Sequence, residues 1–256
     1  PNFFASLRRI IMIKTAIIIP SRLDSKRLPN KPLELIKGKE MILHVYEAAK
    51  KASSGEVFVA TPDKKIINII EESGGKAVQT SESHQTGTDR VFEVFDKLLY
   101  RNPDIVVNLQ GDMPNIQPQA IKDLIFYMEQ GKCDIGTLAS NLNSKSELED
   151  QNIVKVLVKE KMIFGKFSRA IDFSRIKPDK RYNIYHHIGI YAFTNKALIR
   201  YVGLKRSKLE LDRNLEQLRA IENNMSIHVG YIRSSPLSVD TNKDLIRIRE
   251  IMDENE

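Results

Sequence analysis

A single cysteine, Cys133, and no tryptophan occur in the 256 residues. One cysteine cannot close an intramolecular disulfide and makes a cysteine-rich zinc site untenable. No apolar run approaches the roughly 20 residues needed to cross a bilayer, so the chain reads as a soluble, cytoplasmic protein. Glycine is missing from Lys14 through Lys37, the stretch that carries the first strand and the loop after it. That excludes a G-x-G-x-x-G dinucleotide turn there, and no Walker A loop occurs anywhere. Excess charge is modest, with 40 Lys+Arg against 33 Asp+Glu, or +7. Two of those charges, Arg8 and Arg9, lie in PNFFASLRRIIM (1–12), and without them +7 falls to +5. That opening segment only faintly imitates a signal peptide, because Lys14 and Pro20 interrupt its apolar stretch. It reads as an upstream extension or an expression remnant. Elsewhere cations interleave with acids, and no aromatic stacking platform accompanies them, which argues against a nucleic-acid-binding module.

What is present is a β-α-β rhythm. TAIIIP (15–20), EVFVAT (56–61), KAVQT (76–80) and DIVVNLQGD (104–112) are short, β-branched runs. Amphipathic stretches at 41–52 and 63–73 and after Thr86-Gly87-Thr88 separate them. This pattern predicts an α/β fold with a three-layer, mostly parallel sheet. From about residue 133 strands follow one another without long helices, as in IVKVLVKE (153–160), FGKFSRA (164–170) and HHIGIYAFT (186–194). They suggest a small antiparallel insertion at about 133–205 within a single domain spanning 13–252. Residues 208–223 read as helical, 226–233 as a strand and DTNKDLIRIREIM as a closing helix capped by Thr241 or Asp240.

Ligands of open α/β sheets collect at the carboxyl ends of the strands. There the loop SRLDSKRLPNKP sets Arg22, Lys26, Arg27 and Lys31 against Asp24 alone, a cluster suited to polyphosphate. Asp112 follows a buried strand, with Gly111 permitting close backbone approach. Asp240 follows the last strand. Two carboxylates from remote segments meeting at one edge would suit Mg²⁺, which takes one or two carboxylates together with phosphate and water. The plain alternatives are a turn-forming aspartate and a helix cap. TSESHQTGTDR (80–90) concentrates polar groups but also reads as a capped helix start. His186 and His187 are strand neighbours pointing to opposite faces, so they do not build a zinc site. LEQLR (215–219) fits a salt-bridged helix face equally well.

The ordered set IPSRLDSKRLPNKPL, GKEMILHVYEAA, VATPD, SGGKAVQTSESHQTGTDR, VVNLQGDMP, VKV, FSRA, HHIGIYAF, LEQLRAIE and SVDTNKDL resembles the 3-deoxy-manno-octulosonate cytidylyltransferase (CMP-Kdo synthetase) family. The resemblance runs from about Lys14 to Arg249. It implies a nucleotide-diphospho-sugar transferase-like sheet, a homodimer, and transfer of CMP from CTP to the acidic eight-carbon sugar Kdo for lipopolysaccharide synthesis. It further implies that Arg22, Arg27 and Lys31 hold the CTP phosphates and that Asp112 and Asp240 bind Mg²⁺. The nucleotide would be lined by Ala60, Thr61, Thr80, Ser81, Thr88 and Gly111. Arg90, Gln110, Arg169, His187, Tyr191, Glu216 and Gln217 would meet the sugar. The catalytic set would be Arg22, Lys31, Asp112 and Asp240.

The chain departs from the family's usual pattern at Ser21, Lys26 and Asn30 in the basic loop, at Met113 after Asp112, and at Arg213, where a glutamate is expected. Asn30 in place of glycine is mild, because asparagine tolerates left-handed backbone angles. The competing readings are a cytidylyltransferase for 8-amino-Kdo or for a sialic-type sugar, and a catalytically inactive regulatory relative.

Overall fold

A computed structural model describes residues 14–53, 55–178 and 181–254, so the opening segment 1–12 lies outside the described residues. The first half alternates strands with helices: β1 (Thr15–Pro20), a short antiparallel pair β2 (Leu35–Ile36) and β3 (Lys39–Glu40), α1 (Met41–Ala52), β4 (Glu56–Thr61), α2 (Lys64–Glu72), β5 (Ala77–Gln79), α3 (Gly87–Glu93), β6 (Ile105–Leu109) and α4 (Pro118–Glu129). There follow β7 (Ile135–Ser140), α5 (Lys145–Glu149), β8 (Lys155–Val158), β9 (Phe167–Ser174), β10 (Asn183–Thr194) and α6 (Asn195–Gly203). The chain closes with α7 (Lys208–Arg213), α8 (Gln217–Glu222), β11 (Ile227–Tyr231) and α9 (Asn242–Asp253).

Among the described residues nine strands form one sheet, in the order β5-β4-β1-β6-β10-β7-β11-β9-β8. β5, β4, β1 and β6 are parallel, as are β7 and β11. β10 runs antiparallel to β6, β7 and β8, while β9 runs antiparallel to β8 and β11. The antiparallel pairings therefore concentrate in 155–194, and β7 itself belongs to the main sheet.

The period-two alternation of the central strands explains the three layers. Ile17, Ile19, Val57, Val59, Val107 and Leu109 pack with Ile42, Val45, Ile66, Ile121 and Leu124 of α1, α2 and α4. The alternate residues Ile18, Phe58 and Val106 pack on the opposite face with Val91, Leu198 and Leu218 of α3, α6 and α8. A third, smaller cluster joins Leu28 of the basic loop to Ile36, Met41, Val239, Leu245 and Ile248. It fastens the segment bearing Lys31 to the segment bearing Asp240.

The stretch 208–223 is not one helix. Asn214 adopts a left-handed conformation (φ 52°) and breaks it into α7 and α8. The break leaves Glu210 to pair inward with Arg219. Arg219 Nε and Nη2 donate to the Glu210 carboxylate at 2.8 and 2.6 Å, and Arg206 adds a bond at 2.9 Å. Glu210 is fully buried, and the Arg219 guanidinium lies 4.6 Å from the centre of the Tyr201 ring. Removing one partner strands a charge in the core, which costs about 3–5 kcal/mol. Glu210→Gln is therefore expected to lower unfolding stability by about 3 kcal/mol in urea titrations. A loss under about 1 kcal/mol would mean that Arg219 finds solvent or another acceptor.

Candidate active site

The carboxyl ends of β1 and β6 and the turn before α9 meet at one point. Asn30 sits in the left-handed region (φ 57°), the angle a glycine would adopt freely, and it turns the chain into a short 3₁₀ turn at Lys31–Leu33. Leu23 N–H donates to Asp63 Oδ2 at 2.8 Å and Asn30 N–H to the Leu23 carbonyl at 3.2 Å, so the loop is tied at both ends. Gly111 packs closely: a Cβ there would lie 3.0 Å from Ile42 Cδ1 and 3.4 Å from the Pro20 carbonyl oxygen, so its neighbours would have to give way. Val239 N–H donates to the Asp112 carbonyl at 2.9 Å, which holds the two aspartate segments side by side.

Lys31 Nζ lies 2.9 Å from Asp112 Oδ2 and 3.1 Å from Asp240 Oδ1, and Arg27 closes on Asp240 Oδ2 at 3.0 Å. Burial alone would lower the Lys31 pKa, but the two carboxylates reverse that and raise it above its ordinary value. Asp240 is not the helix cap; Thr241 caps α9, in a reciprocal box with Asp244. Asp240 is thereby left to face Lys31 and Arg27. The two carboxylates carry an ammonium between them, the place a hard cation would take. Among the described residues no cluster of three or more His, Cys, Asp or Glu could hold a metal. A divalent ion here would draw its remaining ligands from phosphate and water, which suits Mg²⁺.

A second group surrounds Arg90, which is 3 % exposed and donates to Thr80 Oγ1 and to the Ser81 carbonyl. Burial, then the neighbouring positive charge of Arg22, push its pKa down, so the pair favours an anion between them. The loop 80–86 that frames it is pinned by Glu93, which accepts from Ser81 N–H and meets His84. Although burial opposes it, these bonds and Lys97 hold the Glu93 carboxyl down to about 2. Ala60 and Thr61 are buried: the Ala60 carbonyl accepts from Ser21 N–H, and Thr61 Oγ1 accepts from Asp63 N–H.

A cleft of about 2090 Å³ opens beside these groups, with Arg27, Gln110, His187, Tyr191, Glu216, Gln217 and Asp240 among its lining. A register shift in β10 between Ile188 and Tyr191 re-aims the strand at the cleft. His187 Nε2 lies 2.9 Å from Thr137 Oγ1, whose hydroxyl donates to the Ile190 carbonyl. His187 Nε2 is therefore the donor and Nδ1 the free acceptor. Burial, reinforced by His186, pushes the His187 pKa down to about 3, so the ring is neutral. Burial pushes Glu216 up to about 7, against the pull of the Thr88 hydroxyl and Arg219.

Of the residues expected to meet the sugar, Arg90 and Arg169 do not line the cleft; Arg90 is buried, whereas Arg169 is exposed. Arg169 lies on β9, opposite His228 of β11. A second Phe-Ser-Arg spans the end of this strand, and its Arg175, just past it, does line the cleft, donating to the carbonyls of Gln151 and Asn152. The duplicated tripeptide was the available sequence signal. Lys155, fully buried, fixes the same corner by donating to the carbonyls of Asp150 and Arg175. Sequence reasoning also passed over Asn108, fully buried on β6, although a polar residue inside IVVNL marks a position that needs a partner. The Arg213 departure has a partner: its guanidinium donates to both Asp172 oxygens at 2.8 Å and to the Phe173 carbonyl at 3.0 Å. Met113 packs in the core, 3 % exposed.

The family model described as Cytidylyltransferase matches residues 16–227. The chain is 43% identical over 242 residues to a 3-deoxy-manno-octulosonate cytidylyltransferase of Thermodesulfovibrio yellowstonii, covering 90% of this chain and 95% of that one. It is 40% identical to the protein of the same name from Bartonella henselae, covering 94% and 99%. A solved structure of CMP:2-keto-3-deoxy-manno-octonic acid synthetase complexed with CTP superposes with a TM-score of 0.86 at 35% identity, covering 95% of this chain and all of that one. UTP-bound UGPase from Acinetobacter baumannii, at 11% identity and a TM-score of 0.67 with 94% and 93% covered, shares the fold.

Proposed function

The chain belongs to the 3-deoxy-manno-octulosonate cytidylyltransferase family, and from that membership we propose that it transfers CMP from CTP to the anomeric hydroxyl of Kdo, releasing pyrophosphate and supplying CMP-Kdo for lipopolysaccharide synthesis. The observation that carries the reading is the convergence of Asp112 and Asp240 on Lys31, with Asp240 lining the cleft. The 2-hydroxyl of the sugar attacks the α-phosphorus in line, and two anions must first be brought together. Lys31, Arg27 and Arg22 offset that repulsion and stabilise the charge gathering on the leaving pyrophosphate. Asp112 and Asp240 would hold Mg²⁺, which supplies Lewis-acid polarisation of the phosphate and lowers the pKa of a bound hydroxyl.

On the sugar side, Gln110, His187, Tyr191, Glu216 and Gln217 supply neutral hydrogen-bonding groups and one acidic wall to a polyhydroxylated acid. Arg90 beside Arg22 suits a phosphate or a carboxylate. Arg175, immediately after β9, lines the cleft and takes the sugar-contacting place that the family resemblance implied for Arg169. Residues 13–252 act as one catalytic domain. Its antiparallel part carries the homodimer contact, a reading supported by the exposed Ile163, Phe164 and Ile176. No helix among the described residues is long and apolar enough to cross a membrane.

Pyrophosphate release tests the reading directly. With CTP, Mg²⁺ and Kdo, release is expected to exceed that with UTP and to vanish with EDTA. Release only with 8-amino-Kdo or a sialic acid would keep the chemistry and move the sugar. No release with any acidic sugar from folded protein would overturn the assignment.

A further inference from the structure

Asn108 lies on the face of β6 that points into the apolar layer under α3 and α8, fully buried. Its amide cannot remain unpartnered there without a cost of about 1–3 kcal/mol. The partners form a continuous chain. Gln110 Nε2 donates to Asn108 Oδ1 at 2.9 Å, Asn108 Nδ2 donates to Thr88 Oγ1 at 3.1 Å, and Thr88 Oγ1 donates to the Glu216 carboxylate, 3.1 and 3.2 Å from its two oxygens. Three elements contribute to it: β6, the first turn of α3, and the residue that opens α8.

With Glu216 ionised, as it is above about pH 7, the direction of this chain follows from donor and acceptor chemistry. An ionised carboxylate only accepts, so the Thr88 hydroxyl proton then points to Glu216. The Thr88 oxygen then offers a lone pair, which only the NH₂ end of Asn108 can use. Asn108 must therefore turn its carbonyl towards Gln110, which answers with its own NH₂. Gln110, which lines the cleft with Gly87 and Gly189, is left with a single orientation, its Oε1 acceptor not used by Asn108.

We propose that Thr88 and Asn108 are positioning residues that lock the Gln110 side-chain amide with its oxygen towards the sugar, so that the substrate group it meets must be a hydrogen-bond donor, a hydroxyl or an ammonium. The proposal rests on the reading of Gln110 as a sugar contact. It moves Thr88 from the nucleotide lining that the family resemblance implied to the sugar side: Thr88 is 1% exposed and not among the cleft-lining residues, and it acts through Asn108 without touching the nucleotide.

Thr88→Val keeps the shape and removes the hydroxyl. It frees Asn108, and with it Gln110, to flip. The KM for the acidic sugar is expected to rise about tenfold, with the KM for CTP unchanged within about twofold. Thr88→Ser restores the hydroxyl and the wild-type sugar KM. Thr88→Cys, a weak donor of similar size, falls between them and serves if the valine variant does not fold. Side-chain amide NMR signals of Gln110 report the lock independently of turnover; they are expected to shift in Thr88→Val and return in Thr88→Ser. If the sugar and CTP KM values rise together, or neither rises, Thr88 acts only in folding or not at all, and the proposal is overturned. Unmoved Gln110 signals overturn it as well. If the wild-type protein turns over no acidic sugar, the proposed activity fails separately, and the NMR comparison still decides the lock.

Discussion

Asp112→Asn is expected to lower kcat by about a thousandfold, comparable to losing a principal electrostatic contact of a transition state. The substitution is isosteric, and the Asp112 carbonyl that accepts from Val239 N–H is untouched. Asparagine still offers Lys31 an oxygen in place of the carboxylate now 2.9 Å away. The folded state therefore loses about 1 kcal/mol or less, and the thermal midpoint should move by no more than about 4 °C. What disappears is one of two negative charges that face the cationic cluster, and with it the anionic partner a divalent ion needs. Steady-state kinetics with saturating CTP and sugar, paired with a melting curve, measures both quantities. Activity within about tenfold of wild type would remove Asp112 from the chemistry. A large fall in melting temperature would make it a structural residue instead.

Lys31→Met is expected to change two observables in opposite directions. Turnover falls by about a hundredfold or more, because a cation is lost where charge builds on the leaving pyrophosphate. Metal binding in the absence of nucleotide rises. The ammonium sits within bonding distance of both carboxylates. A divalent ion held by Asp112 and Asp240 would compete with Lys31 for the same two carboxylates. With methionine at 31, Asp112 and Asp240 keep two negative charges, and among the described residues Arg27 alone pairs with them, at Asp240. Mn²⁺ titrated without CTP and followed by its EPR signal should bind the variant at least about tenfold more tightly than wild type. Equal affinities would show that the lysine does not hold the metal's place.

Much of this architecture was legible before any coordinates. The runs TAIIIP, EVFVAT and DIVVNL carry alternating residues apolar at both parities, which is the signature of strands covered on two faces. Asn30 was recognisable as a tolerable replacement for glycine, and its φ of 57° is the angle that reasoning requires. The helix drawn through 208–223 was misread because apolar spacing continues across Asn214. A single left-handed residue stops a helix without disturbing the periodicity on either side. Arg213 looked like a lesion in the sugar site when seen in sequence alone. Its partner Asp172 lies 41 residues away, on β9, and no local pattern links the two.

Sequence by itself determined the strand–helix alternation of the first half, the three layers, the family, and the two aspartates and the lysine worth watching. These follow from periodicity and motif order, which are local properties written along the chain. Tertiary structure alone decided that Lys31 stands between Asp112 and Asp240, that Arg175 rather than Arg169 lines the cleft, and that Asn108 and Thr88 connect Gln110 to Glu216. Those are matters of where side chains from remote segments point once three separate cores are packed. Direction at that scale is set by which neighbours exclude water from each group and leave it a single partner to bond.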